Sequence, residues 1–192
     1  MQDLTADPGL IGRRVLVDGM AGAGKSTFSR ALAARTGLPL IHLDLLYWKP
    51  GWSRPSLDEW SENQRAALAG DAWIADGNYP ETLSLRLERA DTIVVLDTPW
   101  WRCAARALRR GIRRPAGAVM PKGCEDSAAQ RIGDEWRCAL KSCRNHHAEV
   151  AYALAMASQH GTHARLYVLR SKQEASDFLD RQRVLRVESG KQ

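Results

Sequence analysis

The run Gly19-Met20-Ala21-Gly22-Ala23-Gly24-Lys25-Ser26 matches the spacing Gly-x-x-x-x-Gly-Lys-Ser/Thr. Glycine-dense backbone can curl so that successive N–H groups converge on an anion without Cβ clashes. A helix that begins where such a loop ends adds free N–H donors and the positive end of its dipole. In this spacing Lys25 reaches the β- and γ-phosphates of a nucleotide, and the Ser26 hydroxyl is placed to ligate Mg²⁺. The eight residues and Thr27 after them form the expected phosphate-binding set, with ATP and Mg²⁺ as the expected ligands.

Three aspartates form a second group. Asp44, Asp76 and Asp97 each stand at the end of a short apolar run. In open parallel sheets, ligands bind outside the C-terminal ends of the strands, so acids there are site candidates. Asp44 and Asp76 are suited to take a proton from an acceptor or to align it. Asp76 and Asp97 are suited to hold Mg²⁺ through water, and an apolar strand closed by Asp97 has the form of a Walker-B acid.

A third group is basic. Arg102 to Arg144 contains eleven Lys/Arg against four Asp/Glu, an excess of +7, while the whole chain carries +6. One segment therefore holds the entire positive balance, and polyphosphate or nucleic acid would suit it. Within it Arg102, Arg106, Arg109 and Arg113 recur at helical spacing along one face. Cys124, Cys138, Cys143 and His146 lack the paired C-x-x-C hooks of a zinc site, which favours free thiols over a metal.

Positioning these groups requires alternating strands and helices. Val15–Val17 reads as a strand and Ser26–Arg35 as a helix, closed by Gly37. Leu38–Leu43 predicts the second strand. Ser56-Leu57-Asp58-Glu59 is a capping box that opens a helix to about Ala69. Ala72–Ala75 and Ile93–Leu96 predict the third and fourth strands, with a short helix over Glu81–Arg89 between them. Thr98-Pro99 starts the arginine helix, with Thr98 as its cap. A Gly/Pro-rich basic loop follows over Gly111–Gly123. Ser127–Ser158 is helical, with a break expected near Gly133 or Asn145. Arg165–Leu169 is the fifth strand, and the capping box Ser171–Glu174 opens a last helix with Ala175, Phe178 and Leu179 inward. This order predicts a parallel sheet with helices on both faces.

With 192 residues, 44% of them apolar and 26% charged, the chain suits one soluble α/β domain with its own core. That domain is expected over residues 13–183, between an N-terminal tail (1–12) and a frayed C-terminal tail (184–192). No apolar run approaches a membrane span, and the N-terminus lacks the apolar stretch of a secretory signal, so a cytoplasmic location is expected.

These stretches together resemble the P-loop nucleotide-kinase superfamily and, within it, the adenylate-kinase-related group known as DNA topology modulation proteins. The phosphate loop is shared widely. More specific are Leu43-Asp44-Leu45-Leu46-Tyr47-Trp48-Lys49-Pro50-Gly51-Trp52, Trp73-Ile74-Ala75-Asp76-Gly77-Asn78-Tyr79, Arg86 to Asp97, and Met120-Pro121-Lys122-Gly123-Cys124. The resemblance implies a three-layer P-loop NTPase fold with five parallel strands in the order 2-3-1-4-5. It also implies a lid between the fourth and fifth strands, about residues 111–135. It implies Mg-ATP as donor, with Arg113 and Arg114, and less directly Arg144, closing over the phosphates. A nucleoside monophosphate is among the implied acceptors. An arginine is expected after Asn78-Tyr79, where Pro80-Glu81 stands instead, so the grip on acceptor or donor phosphate that it implies is missing. The acceptor pocket is expected between the ends of the second and third strands, with Trp48 and Trp52 either walling it or packing as a loop over the core. The alternatives are a nucleotide-dependent nucleic-acid-binding regulator of DNA topology and a slow ATPase.

Overall fold

The computed structural model describes residues 11–112, 121–124 and 128–182. Its centre is a five-stranded sheet, β1 (Arg14–Gly19), β2 (Leu40–His42), β3 (Trp73–Asp76), β4 (Thr92–Leu96) and β5 (Arg165–Leu169). All pairings are parallel and the order is β2-β3-β1-β4-β5, as predicted. Parallel neighbours need long crossovers, and helices supply them. They are α1 (Lys25–Thr36), α2 (Leu43–Tyr47), α3 (Leu57–Ala67), α4 (Leu83–Leu87), α5 (Trp100–Ile112), α6 (Ala128–His160) and α7 (Lys172–Arg181).

The period-2 alternation of the strands divides the core into two layers. Val15, Val17, Ile74, Val94 and Leu96 face Phe28 and Leu32 of α1 and Phe178 of α7. Leu16, Trp73, Ala75, Ile93 and Val95 face Leu83 and Leu87 of α4 and Ala157 of α6. Helices therefore cover both faces, and the central strands are buried along almost their whole length. This burial pins β1, and with it the start of the phosphate loop.

Several local signals act as their chemistry suggests. Ser56 Oγ accepts from the Glu59 amide and Ser171 Oγ from the Glu174 amide. Gly37, at φ 71°, closes α1 in the left-handed conformation with its N–H on the Ala33 carbonyl.

Other expectations are corrected. The second strand is only Leu40–His42, because Leu43 already begins α2; Asp44 thus sits in the first turn of a short helix. The helix expected over Glu81–Arg89 is a tight turn at Pro80–Thr82 followed by α4. Thr98 places its hydroxyl on the Ala23 carbonyl instead of serving as the helix cap. The helical segment after the basic loop does not break: α6 runs through Gly133 and Asn145 for 33 residues. It packs along α5 through Ala104, Ala107 and Ala139, small residues that let the two helices approach closely.

Candidate active site

The phosphate loop is shaped by backbone that a side chain would strain. Gly19, Gly22 and Gly24 have φ of 142°, 84° and 103°. A Cβ on Gly22 would stand 2.4 Å from the Cys103 carbonyl oxygen, and one on Gly19 would stand 2.7 Å from that of Leu96. Glycine is required by both the torsions and the neighbours. Inside the loop the Ala23 amide donates to the Met20 carbonyl at 3.0 Å. From outside, Arg106 Nη1 donates to the carbonyls of Gly22 (3.2 Å) and Ala23 (2.9 Å), Thr98 donates to Ala23 (3.0 Å), and Ser142 donates to Ala21 (3.4 Å). The carbonyl side of the loop is thus engaged, and its amide side is what an anion would meet. Lys25 begins α1 and folds back so that Nζ donates to the carbonyls of Gly19 (2.6 Å) and Met20 (3.1 Å). Ser26 and Thr27 follow in the first turn of α1.

The three predicted aspartates share one end of the sheet but have different surroundings. Asp76 is buried at the end of β3, level with Val17 of β1. Its Oδ1 lies 2.6 Å from His42 Nδ1, and its Oδ2 is buried with no partner among the described residues. An orphaned, buried carboxylate oxygen one strand from the loop is a fitting donor toward a hydrated cation. Asp44 is exposed and accepts from the Tyr79 hydroxyl at 2.6 Å. Burial, and then the Asp44 charge, raise the Tyr79 pKa far above its ordinary range, so this hydroxyl stays a donor. Asp97 faces His146 Nε2 at 3.2 Å and Arg170 Nε at 3.7 Å, so its carboxylate is already opposed by a basic ring and a guanidinium. Arg113 and Arg114 lie outside the described residues.

Sequence reasoning missed two buried charged residues here. Arg86 is fully enclosed. It donates to Gln64 Oε1 (2.7 Å), Thr82 Oγ1 (3.1 Å) and the Tyr79 carbonyl (3.0 Å), and burial lowers its pKa to about 10. Asp18, the last residue of β1 before Gly19, is buried on the α6 side of the sheet. Its Oδ1 accepts from the Gly19 amide at 2.6 Å. Burial pushes its pKa up, while the charges of Arg86 and Lys25 pull it down. The only signal in the sequence is an acid ending an otherwise apolar strand. A third missed residue is His42, whose role follows from its register with Asp76 across β2 and β3.

Trp48 and Trp52 do not stand apart as pocket walls. They meet edge to face at 5.5 Å, and Tyr47 joins Trp48 to Trp60 and Tyr79 with ring centroids 4.5–5.0 Å apart. Pro121–Cys124 docks on this turn: the Gly51 amide donates to the Gly123 carbonyl (2.9 Å) and Cys124 Sγ to the Lys49 carbonyl (3.0 Å). A cavity of about 480 Å³ lies elsewhere, between the ends of β1 and β4, the Asn78–Leu83 segment and α6. Its size suits a small-molecule ligand.

A glycine-forced phosphate loop between β1 and α1, in a sheet ordered β2-β3-β1-β4-β5, decides the fold. The chain has a P-loop kinase fold. No family model matches it. A cytidylate kinase of Granulibacter bethesdensis is 37% identical over 112 residues, which cover 55% of this chain and 51% of the relative. The chain thus spans about half the length of that curated relative. A shikimate kinase from Acinetobacter baumannii, solved with shikimate, aligns over 88% of this chain and 89% of its own, at 16% identity and a TM-score of 0.49. A shikimate kinase from Bacteroides thetaiotaomicron aligns over 88% and 95%, at 16% identity and a TM-score of 0.42.

On this P-loop kinase fold three cations of the basic segment are ion-paired. Arg110 pairs with Glu135, Arg137 with Asp134, and Lys141 with Glu149. Arg102, Arg106 and Arg109 remain exposed along α5, with Arg102 over the Trp101 ring and Arg106 on the phosphate loop. The residues weighed for a zinc site point different ways. Cys124 faces Lys49, His146 faces Asp97, and Cys138 and Cys143 are carried on α6. Among the described residues the four cysteines are free thiols. No described helix is long and apolar enough to cross a membrane.

Proposed function

We propose that the chain is a phosphotransferase that moves the γ-phosphoryl group of ATP to a small acceptor. The observation that carries this reading is the phosphate loop. Its glycines hold left-handed backbone, its carbonyls are engaged from outside, and Lys25 is folded over its first residues.

In this reading the loop amides and Lys25 hold the phosphates, and Arg106 fixes the loop's shape. Mg²⁺ held by the Ser26 hydroxyl, with Asp76 ordering its water shell, would draw charge off the phosphates. Asp76 suits this task better than Asp97, because Oδ2 of Asp76 is unpartnered among the described residues while Asp97 faces His146 and Arg170. An acceptor oxygen then forms the new bond to γ-phosphorus. The bond from that phosphorus to the ADP oxygen breaks, and ADP leaves with the electron pair. The acceptor's proton passes to a carboxylate at this end of the sheet, Asp44 or Asp76. Arg113 and Arg114 would approach the phosphates as the basic segment closes, excluding water. A cytidylate-type monophosphate, suggested by the relative's name, and a hydroxylated metabolite are the two acceptor classes to separate.

The test is ADP formation from Mg-ATP with and without acceptors from both classes. Acceptor-dependent ADP release supports transfer, whereas ADP release that no acceptor alters would reduce the protein to a slow ATPase. A second reading, a nucleotide-dependent regulator that binds nucleic acid, is favoured by the exposed arginines of α5 and by the resemblance to DNA topology modulation proteins. It predicts duplex binding that falls steeply with salt. The internal pairing of Arg110, Arg137 and Lys141 supports transfer over this alternative.

A further inference from the structure

The wall of the 480 Å³ cavity is chemically one-sided. Its charged lining residues are Asp18 and Glu149, and its other polar side chains are Asn78, Asn145 and Tyr152; among the described residues no lysine, arginine or histidine lines it. Leu83, Val95 and Ala153 supply apolar surface for the body of a ligand. Pro80, which also lines it, has no polar side chain to offer.

Cations outside the lining act on the acids. Arg86 and Lys25 act electrostatically on Asp18, and Lys141 holds Glu149 Oε1 at 2.8 Å. Asn78 Nδ2 donates to Glu149 Oε2 at 3.0 Å, which fixes that carboxylate's orientation. Asp18 is more than nine-tenths buried, and one of its oxygens accepts from Gly19. A buried carboxylate in that condition favours an incoming donor and repels an anion.

The cavity also adjoins the reacting end of the loop. Gly19 and Met20 line it, and their carbonyls are the ones that Lys25 Nζ contacts. In a loop of this spacing that lysine serves the β- and γ-phosphates. A ligand in the cavity would therefore lie beside the group to be transferred.

We infer that this cavity holds the phosphoryl acceptor, and that the acceptor is a hydroxyl-bearing small molecule without an anionic group, bound through its O–H or N–H donors by Asp18 and Glu149. This rests on the phosphotransferase reading, narrows its acceptor, and makes Asp18, in place of Asp44 or Asp76, the carboxylate that faces the acceptor's O–H. A phosphomonoester would bring its dianion against two carboxylates with no lining cation among the described residues to receive it. Donor-rich compounds such as nucleosides, sugars and amino sugars would satisfy both acids.

The experiment compares acceptor pairs that differ only in a phosphate: cytidine with cytidine monophosphate, ribose with ribose 5-phosphate, and glucosamine with glucosamine 6-phosphate. ADP formation is measured at saturating Mg-ATP, and binding of a fluorescent ATP analogue is measured in parallel. The unphosphorylated member of at least one pair is expected to raise ADP formation by about tenfold over its phosphomonoester. Glu149→Gln should raise the KM for that acceptor while leaving analogue binding unchanged, Asp18→Asn should raise the same KM, and Glu149→Lys should shift preference toward the phosphomonoester. Preference for phosphomonoesters in the natural protein, stimulation by neither member of any pair, or variants that leave acceptor KM unchanged would each overturn the inference. Absence of analogue binding would instead sink the phosphotransferase reading beneath it.

Discussion

At Gly22 a single added methyl group would meet a carbonyl oxygen at 2.4 Å, whereas at Arg86 a whole guanidinium is enclosed among Gln64, Thr82 and the Tyr79 backbone. In the proposed function these two places belong to the donor and acceptor halves of one site. The donor half is made of backbone: left-handed glycines, a helix start, and side chains that hold carbonyls from outside. The proposed acceptor half is made of side chains: a cavity whose charged lining residues are Asp18 and Glu149, with the buried arginine network acting on Asp18. A loop that grips phosphate through its amides tolerates changes in most side chains but not in its torsions. A pocket that selects an acceptor depends on which polar groups are buried and what balances them.

Substitutions can break the two halves in different ways. The largest expected effect is from Arg86→Ala, which leaves Gln64 Oε1 and the Tyr79 carbonyl without their buried donor and opens a void. Unfolding in denaturant should show a loss of about 3–5 kcal/mol, as for removing one member of a buried charged network. Next is Gly22→Ala, which forces a Cβ onto Cys103 at a positive φ. Nucleotide binding should fall by about 10²-fold, comparable to losing an oxyanion donor, with a smaller change in unfolding. Should Gly22→Ala unfold the protein while Arg86→Ala only alters acceptor use, the comparison would be inverted.

Asp18 sharpens the contrast through pH. Its pKa is raised in the folded protein above the ordinary 3.8, so the folded state holds the proton more tightly than the unfolded one. Stability is therefore lost as pH rises above about 3.8 through the folded value. Asp18→Asn should melt higher than the natural protein at neutral pH, and the gain should vanish as pH falls below that ordinary value. The same variant should handle acceptor less well, so stability and function would move in opposite directions. An Asp18→Asn protein that melts lower at neutral pH would contradict this. The smallest effect is from Arg106→Ala. Its side chain is exposed, so unfolding should change by less than about 1 kcal/mol. ATP affinity or turnover should drop about tenfold as the loop loses its outer brace.

The donor half is legible in the sequence because its requirement falls on particular residue types. Glycines that must hold positive φ and a lysine at a set spacing are dictated by phosphate binding itself, and apolar runs place the strands beside them. Strand order comes from the resemblance, and the parallel alternation from the pattern itself. The acceptor half is less legible. Arg86 reads as a surface residue of a short helix, because arginine is rarely buried unless paired, and its partners lie 4 to 22 positions away. Asp18 reads as the tail of a strand, since its cavity is completed by α6, far along the chain. The break expected in α6 does not occur because α5 packs beside it, outweighing the weak helix preference of Gly133 and Asn145. Leu43 reads as strand because the apolar run from Leu38 carries no stop signal.

The central claim is that the phosphate loop serves chemistry through Lys25. The most direct measurement is acceptor-dependent ADP formation by Lys25→Ala beside the natural protein, with melting temperature recorded for both. A loss of about 10²-fold or more is expected, with the fold intact. ADP formation unchanged in a folded Lys25→Ala protein would contradict that role.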